Sequence, residues 1–136
     1  MNRRTFLVMT SAMTVIPKLA GCGGGGAGGV DVLAQDFNVQ LAEFPGLGTA
    51  GKTVLVDAGL RLPLAVTMQG PGEFLVTSTE CTHQGCQVRR DSQGYTCPCH
   101  GSQFALDGTV ERGPAQDPLP IYDWELSGDV LTIKAL

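Results

Sequence analysis

Any fold of this chain has to accommodate one stretch first. Residues 81–104 read CTHQGCQVRRDSQGYTCPCHGSQF and hold four of the five cysteines and both histidines. Two short boxes carry this chemistry, Cys81-Thr82-His83-Gln84-Gly85-Cys86 and Cys97-Pro98-Cys99-His100-Gly101-Ser102. Each offers one Cys-His pair, Cys81 with His83 and Cys97 with His100, and one further cysteine, Cys86 or Cys99. Thiolates and imidazoles together are transition-metal ligands. The spacings C-x-H and C-x-x-H fit a structural zinc module of two cysteines and two histidines. Zinc leaves Cys86, Cys99, Gly101 and Ser102 unexplained.

The paired boxes, C-T-H-x-G-C and C-P-C-H-G-S, closely resemble those of the Rieske [2Fe-2S] family, and the double match is far more specific than a lone CxxC. The resemblance implies one [2Fe-2S] cluster, with Cys81 and Cys97 binding one iron and His83 and His100 the other. It also implies a disulfide between Cys86 and Cys99, which clamps the two loops. Two ferric ions, two sulfides, two thiolates and two neutral imidazoles sum to no net charge. Such a cluster accepts an electron more readily than an all-cysteine one, which starts two charges lower. Gly113-Pro114-Ala115 resembles the family's third loop, which covers the cluster, so Pro114 joins Gln84, Gly85, Ser102 and Phe104 around it. The disulfide resembles the higher-potential, membrane-linked members. A Rieske oxygenase would need a mononuclear iron site with two more histidines, and the chain has only these two.

Two departures bear on function. Gln84 stands where quinol-oxidising members usually carry Leu, which weakens an apolar quinone-docking tip. Phe104 stands where the highest-potential members have Tyr, so no phenol hydroxyl is available to a cluster cysteine, whereas Ser102 can still donate. The gap between His83 and Cys97 is also short for the family, at 13 residues.

The start of the chain reads as an export signal over residues 1–22. Arg3-Arg4 is followed by an apolar run to Ile16, too short to span a bilayer and suited to a signal h-region. The twin arginine suggests Tat export, which carries folded, cofactor-loaded proteins; an ordinary Sec signal is the alternative. Leu19-Ala20-Gly21-Cys22 resembles a lipobox and makes Cys22 the expected lipidation site. Residues 23–29 are six glycines and one alanine, a flexible tether of roughly 13–16 Å. Of the nine basic residues, Arg3, Arg4 and Lys18 precede Cys22, while all 13 acids follow it, so the exported part would be strongly acidic. An acidic head suits a basic partner such as a c-type cytochrome, and no basic stripe is left for nucleic acid.

Residues 30–136 form the expected domain, with cluster-binding loops at about 79–116. Stretches 37–41, 52–56, 64–68, 74–77, 119–126 and 130–134 are rich in Val, Leu, Ile and Thr and separated by Gly and Pro turns, which predicts strands. Gln69-Gly70-Pro71-Gly72 and Ser127-Gly128-Asp129 predict hairpins. The fold class is therefore all-β, and the family resemblance specifies an antiparallel β sandwich with a small cluster-binding subdomain inserted.

The functional expectation is one-electron transfer by a subunit with no independent catalytic site. It would sit lipid-anchored on the extracytoplasmic, periplasmic face of a bacterial membrane. The expected setting is a bc-type quinol–cytochrome c reductase, with a cytochrome b and a c-type cytochrome as partners and quinol as a possible reductant. The alternatives are the small subunit of an arsenite-oxidase-like molybdoenzyme and a solitary periplasmic electron carrier.

Overall fold

The computed structural model of the chain describes residues 29–136. The signal segment, Cys22 and the glycine tether up to residue 28 lie outside the described residues. Among the described residues, eleven short antiparallel strands form three sheets. Strands β1 (Phe37–Gln40), β11 (Val130–Ile133) and β10 (Trp124–Ser127) make one sheet. Strands β2 (Thr53–Val56), β3 (Leu64–Gly70), β4 (Glu73–Ser78) and β9 (Ile121–Tyr122) make the second. Strands β5 (Arg89–Arg90), β6 (Gly94–Thr96), β7 (Gln103–Ala105) and β8 (Val110–Arg112) make the third, which is inserted between β4 and β9. The all-β sandwich with an inserted subdomain is as expected. Among the described residues no helix is long and apolar enough to cross a membrane.

The first two sheets pack face to face because alternate residues of each are apolar. Val39, Leu131 and Ile133 from one meet Val56, Leu64, Val66, Phe74, Val76 and Tyr122 from the other. Trp124 closes one end of the core, its Nε1–H donating to Phe74 O at 2.8 Å and its ring set edge-on to Phe74.

β3 is central and buried on both faces. Leu64 and Val66 enter the sandwich core, whereas Ala65 belongs to a second apolar cluster under the inserted sheet. Its small side chain lets that sheet lie close. Strand positions matched expectation within a residue or two, except over 119–126. That stretch divides at exposed Asp123: Ile121–Tyr122 pairs with β4, and Trp124–Ser127 pairs with β11. One continuous strand would have held both halves in one sheet, and the break lets the chain cross between the two.

The β5–β6 hairpin that leads to the second box depends on Asp91. Its Oδ2 accepts from Thr96 Oγ1 at 2.7 Å, and its Oδ1 accepts from the N–H groups of Gln93 and Gly94, each at 2.9 Å. The Thr96 hydroxyl first, then the two N–H groups, hold its carboxyl below the ordinary value of 3.8. A depressed carboxyl stabilises the fold above its unfolded value and loses that contribution as pH falls through the folded one. Asp91→Ala should therefore cost about 1 kcal/mol at neutral pH, the site being solvent-screened. The gap between variant and parent should narrow in denaturant titrations as pH falls below the ordinary carboxyl value of 3.8; a gap independent of pH would contradict this account.

Candidate metal centre

The two boxes fold as one loop used twice. In the first, Cys81 N–H donates to Cys86 O at 2.8 Å, and Gly85 N–H donates to Cys81 O at 2.8 Å. In the second, Cys97 N–H donates to Ser102 O at 2.8 Å, and Gly101 N–H donates to Cys97 O at 3.0 Å. The fourth residue after each lead cysteine is a glycine at φ 77° or 80°, the left-handed region where a side chain is strained. That requirement explains Gly85 and Gly101 together.

β4 delivers the first loop and the β6–β7 turn delivers the second. Cys81 and Cys97 end up 1% exposed in the second apolar cluster with Val88, Tyr95, Phe104 and Leu119. Both thiols are free. Burial pushes the Cys81 thiol above its ordinary range, while the N–H groups of His83 and Gln84, which point at its sulfur, pull the other way. The Cys97 thiol lies against it and adds to the rise. His83 and His100 meet ring to ring, centroids 4.9 Å apart and nearly perpendicular. His100 is exposed and His83 half-buried, and His83 Nδ1 is buried with no hydrogen-bond partner.

Cys86 and Cys99 form a disulfide, with their Cα atoms 6.5 Å apart. Their sulfurs and that of Cys97 lie within 4.8 Å of one another, but the bond leaves only Cys97 of the three as a free thiol.

A third loop ties the boxes from above. Ala115 N–H donates to Ser102 Oγ at 3.0 Å, and Thr82 Oγ1 donates to Asp117 O at 2.6 Å. Ser102 is fully buried and keeps its own hydroxyl proton for another acceptor. Pro114 itself is exposed, so Ala115 rather than the proline makes the contact. Phe104 is buried at 1% in the cluster that holds Cys81 and Cys97, and Gln84 is exposed at the tip.

The sequence showed no sign of the support beneath the first box. Glu80, buried next to Cys81, is ion-paired with Arg61 and accepts from Asp31 N–H at 2.9 Å. Asp31 in turn accepts from Arg61 N–H at 2.9 Å. The partners lie 19 and 49 residues from Glu80, and nothing local marks them.

Two buried free thiols, an imidazole nitrogen buried without a partner and a second imidazole beside it fit a two-sulfur, two-nitrogen donor set. Such a set suits a [2Fe-2S] cluster whose irons have unlike ligands.

Comparison with known proteins agrees. The family model for the Rieske [2Fe-2S] domain matches residues 39–123. The cytochrome b6-f complex iron-sulfur subunit of Prochlorococcus marinus subsp. pastoris is 36% identical over 124 residues, covering 88% of this chain and 68% of that protein. The cytochrome b6-f complex iron-sulfur subunit 2 of a Synechocystis strain is 36% identical over 105 residues, of which this chain spans 57% of the length. Among solved structures, the plasma membrane Rieske protein PetC3 of Synechocystis PCC 6803 superposes with a TM-score of 0.55 at 33% identity, covering 73% of this chain and 99% of that one. With the family match spanning most of the described residues and both boxes inside it, the chain belongs to the Rieske [2Fe-2S] family and carries one such cluster.

Proposed function

We propose that the chain transfers single electrons as the iron–sulfur subunit of a cytochrome bc- or b6-f-type complex, with Cys81, Cys97, His83 and His100 as the cluster ligands. The observation that carries this reading is the doubled loop, which buries two thiols and sets two imidazoles side by side at the surface. When bound, the cluster supplies a site that takes up and returns one electron.

The residues of the chain set the terms of that exchange. Cys81 and Cys97 hold their sulfurs in apolar surroundings that exclude water. The N–H groups of His83 and Gln84 point at the Cys81 sulfur and stabilise added negative charge, and the buried Ser102 hydroxyl keeps a proton to donate. Phe104 contributes no donor, so the potential should fall below the top of the roughly −150 to +300 mV range of such centres. Exposed His100 and half-buried His83 form the short route to a docked partner. The Cys86–Cys99 bridge and the Ala115 loop keep the two halves in register.

The b6-f relatives support membrane-bound partners that include a b-type cytochrome. Tat export and lipidation at Cys22 would hold residues 30–136 on a tether of residues 23–29 at the extracytoplasmic face. Quinol is a candidate donor, although polar Gln84 at the tip does not favour it. A second reading is an electron carrier outside a b6-f complex. It is favoured by exposed, polar Gln84 at the tip of the first box, where docking of a quinol would call for an apolar side chain.

Chain purified anaerobically from native membranes tests these readings. It should contain two irons and two acid-labile sulfides and give a Rieske-type EPR signal on reduction, and His83→Ala should abolish both. Stoichiometric zinc without an EPR signal would refute the centre. Co-purification with a b-type cytochrome would separate the complex from the solitary carrier.

A further inference from the structure

The inserted lobe does not close fully onto the sandwich. A cleft of about 1010 Å³ remains between β2 on one side and β5 with the Cys86–Cys99 bridge on the other. Both strands are sheet edges. Met68 N–H donates to Lys52 O at 3.0 Å, which fixes the phase of the β2–β3 ladder. Antiparallel ladders alternate, so Val54 and Val56 bond to β3 while the N–H and C=O groups of Thr53 and Leu55 point outward from the sheet. Neither N–H has a backbone partner among the described residues. Thr53 and Leu55 line the cleft, and Leu55 is 52% exposed, so the edge is open and partly apolar.

The charge around this edge runs against that of the molecule. Among the described residues there are six basic side chains against 13 acids, yet Lys52, Arg89 and Arg90 all line this one cleft. Arg90 is held by Thr53 Oγ1 and Gly94 O. Lys52 and Arg89 are exposed and enter no ion pair among the described residues. The one acid of the lining, Asp91, is already occupied by its own hairpin. Tyr95 also lines the cleft, 2% exposed, with a hydroxyl that finds no partner.

We propose that this cleft receives an extended acidic segment of a partner protein, added as a fifth strand on the edge of β2. Its backbone pairs with the outward N–H and C=O groups of Thr53 and Leu55, since an unpaired edge is a template for a further strand. Alternate carboxylates meet Lys52 and Arg89, and an apolar residue covers Leu55. Charge complementarity selects the occupant, because the cationic rim of an otherwise acidic protein repels basic strands. The site lies beside the disulfide rather than at the histidines, and it does not depend on which redox complex the chain serves.

The test uses the full, cluster-loaded chain and three synthetic hexapeptides: alternating Glu-Val, alternating Lys-Val, and the Glu-Val sequence N-methylated at alternate residues. The acidic peptide should bind in calorimetry, weaken with added salt and slow hydrogen exchange over residues 53–56. The other two should not bind. Lys52→Glu with Arg89→Glu, both exposed and removed from the cluster ligands, should weaken binding about tenfold with an unchanged optical spectrum. Equal binding of the N-methylated peptide, or no protection over residues 53–56, would overturn strand addition. Concentration-dependent protection of the same residues without peptide would assign the edge to a second copy of the chain and overturn the partner.

Discussion

Cys86→Ser combined with Cys99→Ser should lower the stability of the inserted lobe by about 3 kcal/mol, the chain-entropy value for a closed loop of this size. The cysteines are 13 positions apart. The effect should be local, because neither residue belongs to the sandwich core. Cys86 O is the acceptor for Cys81 N–H, so the bridge fixes the end of the first loop directly against the second. Without it, the loops share the Ala115 and Thr82 contacts and a small apolar cluster. Bleaching of the cluster's visible absorption should therefore precede loss of far-ultraviolet dichroism in denaturant, with the two transitions well separated. Coincident transitions with the parent midpoint would show that the bridge carries no such load.

Gly94→Ala should be the most damaging single methyl added to the lobe. An added Cβ would lie 2.1 Å from Phe104 O and 3.0 Å from backbone atoms of Ala105, neighbours that cannot swing aside. The backbone of Gly94 is also fully engaged. Its N–H donates to Asp91 Oδ1, and its carbonyl accepts from Asp91 N–H and Arg90 Nη1. Relief of the clash must move β6 off β7, and Cys97 follows directly after β6. We expect a loss of about 3 kcal/mol or more and poor cluster retention. Gly48→Ala, which has open space around its added methyl, is the control and should leave both unchanged. Iron content and denaturant midpoints measured side by side decide it. Parent-like values for Gly94→Ala would mean that β6 and β7 are not packed this closely.

The kind of chemistry was legible in the sequence because ligand identity is a property of the side chain. Cys81, His83, Cys97 and His100, the ligands proposed above, offer sulfur and nitrogen donors in any fold that brings them together. The strands were legible because burial of alternate residues is written locally, as were the turns at 69–72 and 127–129. The Cys86–Cys99 pairing came from family resemblance alone, since spacing does not select partners. The division of 119–126 at Asp123 was not legible, because both halves are strand-like and only pairing with β4 or β11 separates them. The equivalence of the two boxes was hidden as well. Their histidines sit at different offsets, and only the hydrogen bonds of Gly85 and Gly101 reveal a common backbone. The support of Glu80 by Arg61 and Asp31, the meeting of Cys81 with Cys97 and of His83 with His100, and the open basic edge of β2 all join residues distant in the chain. Strand register and sheet packing decide such meetings, because each partner's local sequence is compatible with many neighbours and the buried cores permit only one.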